Sequence, residues 1–135
     1  MLFRSVAAAI SVIGAASAMG YTALTLASPK YFLPNVTRTL GGATGWTTPI
    51  LLQSATATSA TLSWFRFSDG SLVTTQTVPL SPGSGVRVDP RTVPALTDDT
   101  QYAVVVSATG GNVAAVVVEL ANGADNAMIY EGFAQ

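Results

Sequence analysis

The sequence contains no cysteine and no histidine, and only about a tenth of its residues carry a charge. Without cysteine the chain forms no disulfide and offers no thiolate to a metal ion. Without histidine it lacks the side chain that most often acts as a general acid or base near neutral pH. The six Lys and Arg residues nearly balance the seven Asp and Glu residues, which is not typical of a nucleic-acid-binding protein. We therefore predict that the protein is not an enzyme, holds no metal or cofactor and binds no nucleic acid.

The carboxylates are the remaining candidates for catalysis, and turn chemistry accounts for most of them. They are Asp69, Asp89, Asp98, Asp99, Glu119, Asp125 and Glu131. Asp69-Gly70 is typical of a hairpin turn, and Asp89-Pro90 is typical of the start of a turn. Asp98 and Asp99 precede a predicted strand, where a solvated loop is a simpler interpretation than a cation site. A glycosidase that acts through two carboxylates is the one chemically reasonable enzyme for this composition.

A long N-terminal stretch between Arg4 and Lys30 carries no charge. It is long enough to cross a bilayer as a helix of about 20 residues. Small residues dominate it, and pairs such as Gly14 and Ala18 have the small-xxx-small spacing that lets helices approach closely. Pro29 ends the helical pattern. The sequence thus predicts a long apolar α-helix whose packing residues are Val6, Ile10, Ile13, Gly14, Ala16, Ala18, Gly20, Tyr21 and Leu24.

Three interpretations of this segment remain open. The first is a secretory signal peptide with a basic start, an apolar middle and a cleavage site at Ala16-Ser17-Ala18 or near Ala27. The second is a single-span membrane anchor, in which Arg4 favours a cytoplasmic N-terminus and an outward-facing domain. The third is the assembly segment of a helical filament, in which many copies bury one another's apolar surface.

After Lys30, short runs rich in Val, Thr, Ala and aromatic residues alternate with clusters of Gly, Pro, Asn and Ser. This pattern is typical of an antiparallel β-sandwich. The two turns at residues 68–71 and 109–112 predict hairpins, and the apolar runs on either side of the second turn predict the most buried strands. The predicted strands are residues 50–54, 60–67, 71–78, 85–88, 101–108, 113–120 and 127–133.

Aromatic and aliphatic residues near the first turn are candidates for the core. Leu62, Trp64, Phe65 and Phe67 are expected to fill it, and the neighbouring large residues at 64 and 65 indicate a bulge or an exposed aromatic side chain. For Trp64, a place in the core is a better interpretation than stacking on a ligand. The sequence therefore predicts that this run contributes packing rather than a binding site.

Two short patterns after Lys30 are candidates for a modification site and a phosphate-binding loop. Asn35-Val36-Thr37 fits the N-glycosylation sequon, so Asn35 is a predicted glycosylation site if the domain is extracellular. Gly41, Gly42 and Gly45 have neither a following Lys nor a helical pattern, so they predict a flexible connection and no phosphate-binding loop.

An uncharged N-terminal helix of this length, followed by a compact β-domain, resembles the type IV pilin superfamily, and especially its archaellin and archaeal-pilin branch. The resemblance implies a helix that waits in the membrane and is then extracted into a filament core, with β-domains as the outer shell. Bacterial type IV pilins usually have Glu at the fifth mature position, where this chain has Ser5. Archaeal members commonly lack that acid. Arg4 departs from the pattern as well.

The segment from Tyr31 to Phe133 also looks like a repeat module of bacterial surface proteins, notably those of Chloroflexota. That similarity implies an extracellular structural or adhesive role and transfers no catalytic residue. Its landmarks are Leu33-Pro34-Asn35-Val36, Gly45-Trp46-Thr47-Thr48, Ser68-Asp69-Gly70, Leu80-Ser81-Pro82-Gly83, Ala114-Ala115-Val116-Val117, and Ala127-Met128 with Tyr130.

Together these observations predict an α+β protein with a hydrophobic helix over residues 1–29 and an immunoglobulin-like β-sandwich of about seven strands over residues 30–135. The expected function is a structural subunit of an extracellular filament for motility or adhesion. Its partners are expected to be other copies of itself, the membrane before assembly, and an assembly machinery. The alternative is a secreted or membrane-anchored surface β-sandwich that binds carbohydrate or another surface protein.

Overall fold

A computed structural model of the chain describes residues 27–42, 44–122 and 126–135. These residues form ten β-strands and one short 3-10 helix, and they contain no α-helix. The α+β class expected from the sequence is therefore wrong, because the described part of the chain is all-β. Ser28, expected at the end of the long helix, forms an antiparallel bridge with Val113 and so belongs to the β-structure. The predicted packing residues from Val6 to Leu24 lie outside the described residues.

Two antiparallel sheets contain all ten strands. The first has the order β10-β1-β7-β4-β5 and comprises β1 (Lys30–Thr37), β4 (Thr58–Arg66), β5 (Leu72–Leu80), β7 (Gln101–Thr109) and β10 (Phe133–Ala134). In the second, the central strand β8 (Ala114–Ala121) pairs with β9 (Ala127–Glu131) on one side and with β2 (Trp46–Thr47) and β3 (Ile50–Gln53) on the other. β6 (Gly85–Val88) pairs with the free side of β3. Within the described ranges, no helix is long and apolar enough to span a membrane.

Period-two alternation decides which side chains fill the core between the sheets. The core takes Leu62 and Trp64 from β4, as predicted, and both are fully buried. Phe65 points to the other face and is partly exposed, and Phe67 is 60% exposed, so the predicted core positions of Phe65 and Phe67 are both wrong. A register shift between Trp64 and Phe65 confirms the predicted bulge. The largest buried side chains are Trp64, Tyr31, Tyr102, Leu33, Ile50, Leu52 and Leu62 from the two sheets, together with Leu96 from the segment between β6 and β7.

The two predicted hairpin turns have different outcomes. Residues 68–71 do connect the paired strands β4 and β5, and Asp69 accepts a hydrogen bond from the Ser71 amide at 2.9 Å. The turn at 109–112 instead leads from β7 in the first sheet to β8 in the second, so that hairpin prediction is wrong. Both edges of β7 are already paired, one with β1 and one with β4. β8 therefore pairs in the other sheet, as its central strand.

Strand β1 was missed by the sequence analysis because Pro34 interrupts its pattern. The structure accommodates this proline at a bulge, where the register with β7 shifts between Leu33 and Val36. A bulge is one of the few places in a sheet where a residue without an amide hydrogen costs no ladder hydrogen bond. The single strand predicted over 127–133 is also divided, because Gly132 separates β9 in the second sheet from β10 in the first.

One side of the sandwich, beyond β6, is covered by a short segment that starts with the 3-10 helix Pro90–Thr92. Asp89 caps this helix and accepts a hydrogen bond from the Arg91 amide at 3.0 Å. The same carboxylate contacts the guanidinium groups of Arg91 at 2.8 Å and Arg87 at 3.1 Å. The hydrogen bond from the Arg91 side chain is the main reason that the pKa of Asp89 lies below its usual value.

Replacing Asp89 by Asn should therefore destabilise the fold in a pH-dependent way. A carboxyl with a lowered pKa stabilises the folded state above its unfolded pKa of about 3.9, and this contribution is lost as the pH falls through the folded pKa. We expect Asp89→Asn to cost about 1 kcal/mol at neutral pH, measured by urea unfolding, and clearly less near pH 2. Asp98→Asn, at an exposed ion pair with Arg38, is the control and should change stability by less than about 0.5 kcal/mol. An equal loss for Asp89→Asn at both pH values would contradict this assignment.

Candidate functional site

The two ends of the sandwich differ in what they carry. At one end the described termini meet, since the Ser28 hydroxyl donates to the Gln135 carbonyl at 2.7 Å and the Gln135 amide donates to the Lys30 carbonyl at 3.0 Å. The opposite end, which we call the distal end, is where β1, β4 and β8 finish and where β5, β7 and β9 begin. The eight residues of β1 separate the two ends by about 25 Å. Whatever continues from Ser28 therefore leaves the sandwich far from the distal end.

A polar cluster centred on Asn35 joins the two sheets at the distal end. Asn35 lies in the bulge of β1, and its Nδ2 donates to Glu119 Oε1 of β8 at 3.0 Å. Gln101 Nε2 of β7 donates to Asn35 Oδ1 at 3.3 Å. The hydroxyl of Tyr130 in β9 accepts from the Asn35 amide at 3.2 Å and donates to the Asn35 carbonyl. The bulge matters here because it leaves the backbone amide and carbonyl of residue 35 free to bind Tyr130 instead of the strand ladder.

Tyr130 is neutral in this environment. Burial is the main cause that raises its pKa above the usual value for tyrosine, and the nearby Glu119 carboxylate adds to the effect. A neutral phenol can donate and accept at the same time, which is what the two Asn35 contacts require.

We expect Tyr130→Phe to lower the free energy of unfolding by about 1–3 kcal/mol, because the partly buried amide and carbonyl of Asn35 lose their partner. Urea unfolding followed by circular dichroism measures this loss. Tyr130→Phe removes a single oxygen and leaves the ring in place, so a loss of packing cannot explain the result. No change in stability would show that water replaces the hydroxyl at no cost.

The glycosylation predicted at Asn35 falls on this cluster. Nδ2 is the atom that N-glycosylation modifies, and in the folded protein it donates to Glu119. A glycan replaces one of the two Nδ2 hydrogens, so attachment preserves this hydrogen bond only when the other hydrogen faces Glu119. Modification of Asn35 stays a prediction, and mass spectrometry of the native protein would test it.

A cleft of about 280 Å³ opens beside the cluster, and we call it the Trp46 cleft. Its walls include Asn35, Leu40, Trp46, Glu119 and the 55%-exposed Met128. The side chains come from β1, β2, β8, β9 and the loop before β2. Among the described residues, the lining combines one carboxylate, one amide, one indole, the hydroxyls of Thr37 and Thr48, and the apolar side chains of Leu40 and Met128, and it includes no cation.

The backbone around Trp46 is held on two sides. Leu40 and Trp46 exchange reciprocal backbone hydrogen bonds, each of 2.8 Å, and the Thr37 hydroxyl donates to the Trp46 carbonyl at 3.2 Å. Trp46 also pairs with Ala121 of β8. Gly45 fits this arrangement because a Cβ atom at that position would lie only 1.8 Å from the Leu40 carbonyl oxygen. The indole is consequently presented by a backbone with little freedom to rearrange.

The glycine-rich connection before Trp46 is attached to the neighbouring loop. Asp99 Oδ1 accepts from the amides of Gly41 and Gly42 at 2.8 and 3.2 Å, and both glycines have positive φ angles. The flexible connection predicted from the sequence is thus hydrogen-bonded. Because a carboxylate already occupies these two amides, the loop offers them to no phosphate group.

A second cleft of about 330 Å³ lies on the other side of Leu40, and we call it the Phe67 cleft. Leu40, Arg66, Phe67, Asp99 and Gln101 are among the residues that line it. Phe67 and Met128 are two of the four large hydrophobic side chains that the described residues expose, so each cleft at the distal end has an exposed apolar wall.

The carboxylates considered as catalytic candidates are dispersed. Asp69 contacts Arg66 at 3.5 Å, Asp98 contacts Arg38 at 3.2 Å, and Asp99 holds the glycine loop. Across the described ranges, no three acidic residues gather at a distance that would suit a metal ion. Asp125 lies outside the described residues. Burial raises the pKa of Glu131 above its usual value.

The sequence analysis had assigned no site to Leu40, Trp46, Gln101, Met128 or Tyr130. Trp46, Met128 and Tyr130 were noted only as landmarks of the surface-protein resemblance. No local spacing could have brought them together, since they come from separate strands and one loop. Their juxtaposition depends on the pairing of β8 with both β2 and β9.

No protein-family profile matches this chain, and no curated protein matches it. Among solved structures, the crystal structure of Thermotoga maritima 1070 is similar, with a TM-score of 0.65 and 10% sequence identity. The similarity covers 80% of this chain and 95% of that chain. At this identity it shows a shared fold alone, and it carries no information on a relation to type IV pilins.

Proposed function

We propose that this chain is a structural, non-catalytic protein of the cell surface that displays its β-sandwich outside the cell. The observation that carries the proposal is the arrangement of the sandwich ends. Ser28, which follows the uncharged N-terminal stretch, pairs with Val113 at one end, and the two clefts lie at the other. When the N-terminal stretch resides in a membrane, the two clefts lie at the end of the sandwich that faces away from that membrane. This is the surface-module alternative considered in the sequence analysis.

The chemistry of the described residues supports a structural rather than a catalytic role. The carboxylates of Asp69, Asp89, Asp98 and Asp99 each hold a turn, a cap or a loop in place. Their contacts serve the fold. The two clefts at the distal end carry mixed polar and apolar walls, as binding surfaces do.

Labelling of intact cells tests the proposal. The chain has no cysteine, so Ser68→Cys in the exposed β4–β5 turn at the distal end provides a unique thiol. A membrane-impermeant maleimide should label this variant equally in intact and lysed cells, and it should not label the cysteine-free parent chain. Labelling that requires lysis would place the sandwich inside the cell and end the proposal.

A filament subunit remains a second candidate, and the outer face of the second sheet favours it. Leu51, Val118, Leu120 and Ile129 share this face, as their register shows, and none of them belongs to the core. Strands that are apolar on both faces are typical of sheets that are covered on both sides. Contact with other copies would supply such a cover, and contacts that do not close into a ring would extend into a filament.

Electron microscopy of the purified full chain distinguishes this second candidate. Leu51→Asp should abolish filaments and leave the sandwich folded, because the side chain lies outside the core. Thr61→Asp, on the outer face of the first sheet, is the matched control and should leave filaments intact. The filament hypothesis is wrong if micrographs of the unmodified chain show only dispersed particles. It is also wrong if Leu51→Asp still forms filaments.

A further inference from the structure

We infer that the Trp46 cleft binds a neutral saccharide through one terminal sugar ring. The inference rests on the proposed display of the distal end outside the cell, and it names the class of ligand that this end would take. It is carried by the chemistry and the size of the cleft. The function proposed above does not depend on it.

Sugar rings present two kinds of surface, an apolar face of C–H groups and an edge of hydroxyl groups. The Trp46 cleft offers a partner to each. Trp46 supplies a large planar side chain with an apolar body, supported by Leu40 and Met128. Glu119 and Asn35 supply planar polar groups that recognise hydroxyls.

Glu119 has spare capacity to accept hydrogen bonds. Its Oε1 accepts from Asn35 Nδ2 at 3.0 Å, and among the described residues its Oε2 has no hydrogen-bond partner. An ionised carboxylate accepts hydrogen bonds from hydroxyl groups more strongly than a neutral acceptor does. Asn35 is itself fixed by Gln101 and Tyr130, so the Asn35–Glu119 pair is oriented before any ligand arrives.

Other classes of ligand fit the cleft less well. None of the described residues that line it is Lys or Arg, which disfavours phosphate groups and nucleic acids. Glu119 is the only carboxylate that the described part of the chain contributes to its wall, too few for a cation site built from protein oxygens. Its volume of about 280 Å³ lies just below the roughly 300–1,000 Å³ of most small-molecule pockets, which suits one ring better than an extended chain.

The two tryptophans make a direct test available, because one lies in the cleft and the other is buried in the core. The full chain, labelled with ¹⁵N and held in phosphocholine micelles, gives an indole N–H signal for each. Titration with glucose, galactose, mannose and N-acetylglucosamine should shift the Trp46 signal saturably for at least one sugar, with affinity in the millimolar range expected of a single exposed ring. The Trp64 signal should not move.

Variants separate recognition from folding. Glu119→Gln keeps an acceptor for Asn35 but removes the charge. For the sugar that binds the parent chain, the dissociation constant should rise by at least about fivefold. Trp46→Ala should abolish binding. Because this variant has no Trp46 signal, binding is followed by the backbone amide signal of Met128, which no sugar should shift. Phe67→Ala, in the neighbouring cleft, should leave the affinity unchanged, and an unshifted Trp64 signal verifies the fold in each case.

The inference is overturned if none of the four sugars shifts the Trp46 signal saturably, if both indole signals move together, or if Glu119→Gln binds as tightly as the parent chain. These outcomes leave the cell-surface proposal intact when Ser68→Cys is labelled on intact cells. If labelling fails but the sugar binds, display at the cell surface is wrong and the cleft remains a sugar site.

Discussion

Trp64→Ala is expected to lower the free energy of unfolding by about 3–5 kcal/mol, the range for truncating a fully buried large aromatic side chain. Trp64 has no exposed surface and packs edge-to-face against Tyr102, with ring centroids 6.4 Å apart and planes at 82°. Its removal leaves a void in the centre of β4, between Leu62 and the bulge. Because interiors of this kind relax only partly, the cost exceeds that of transferring the indole to water.

Urea unfolding of the full chain in micelles, followed by circular dichroism, measures this effect. Phe67→Ala is the matched control, since Phe67 lies on the same chain segment but is 60% exposed, and it should cost less than about 0.5 kcal/mol. Equal losses for the two variants would mean that the core assignment of Trp64 is mistaken.

Trp64→Phe separates the volume of the indole from its polar atom. Within the described residues, the buried Nε1 of Trp64 has no hydrogen-bond partner. An unpaired buried donor costs about 1–3 kcal/mol, so removing it offsets much of the packing that phenylalanine loses. We expect Trp64→Phe to stay within about 1.5 kcal/mol of the parent chain in the same assay. A loss as large as that of Trp64→Ala would show that the indole nitrogen has a partner, such as a buried water molecule.

Gly132→Ala is expected to destabilise the fold by about 1–3 kcal/mol through overpacking at the point where the chain changes sheets. A Cβ atom at this position would lie 2.5 Å from Leu33 Cδ2 and 2.9 Å from Tyr31 Cδ1. Both neighbours are buried in the core, so neither can move away without disturbing other contacts. The strain should also weaken the pairing of β10 with β1.

Gly111→Ala is the control for this substitution. Its Cβ would approach Thr56 Oγ1 at 3.0 Å and Thr58 at 3.3 Å, and these are side chains at the surface that can adjust. The free energy of unfolding, measured in urea, should therefore be clearly lower for Gly132→Ala than for Gly111→Ala. In Gly132→Ala, the Gln135 amide should exchange its hydrogen with solvent faster than in the parent chain, where it donates to the Lys30 carbonyl at 3.0 Å. Equal stability of the two variants would contradict the close packing at Gly132.

Much of the β-structure could be predicted from the sequence. The alternation around Leu62 and Trp64 correctly placed both side chains in the core, and Asp69-Gly70 correctly marked the turn between β4 and β5. These are local signals, because alternation along a strand and the preference of Gly for positive φ act over a few residues. The Gly70 φ angle of 70° is one example of such a local requirement.

Prediction failed where the outcome depended on distant strands. The turn after Thr109 has the composition of a hairpin, but β1 and β4 already occupy both edges of β7. Phe67 closely follows the large apolar residues Trp64 and Phe65, but it lies past the end of β4 and its side chain is 60% exposed. Ser28 follows a pattern that predicts a helix, but its backbone bonds with Val113 hold it in the β-structure.

The candidate site is the clearest case of this difference. Of its residues, the sequence analysis singled out only Asn35, as a sequon, and Glu119, as one carboxylate among several. The contact between Asn35 Nδ2 and Glu119 Oε1 joins positions 84 residues apart in the chain. No periodicity extends over such a distance.

By itself, the sequence determined that cysteine and histidine chemistry is absent, that antiparallel strands follow Lys30, and that Leu62 and Trp64 of β4 lie in the core. Only the tertiary structure decided how the strands divide between two sheets, where Gly132 lets the chain pass from one sheet to the other, and that Trp46, Asn35 and Glu119 line one cleft. The physical reason is that side-chain alternation encodes an inside and an outside for each strand but not the identity of its neighbours. Those neighbours follow from the burial and hydrogen bonding of the whole domain, which no short stretch of residues contains.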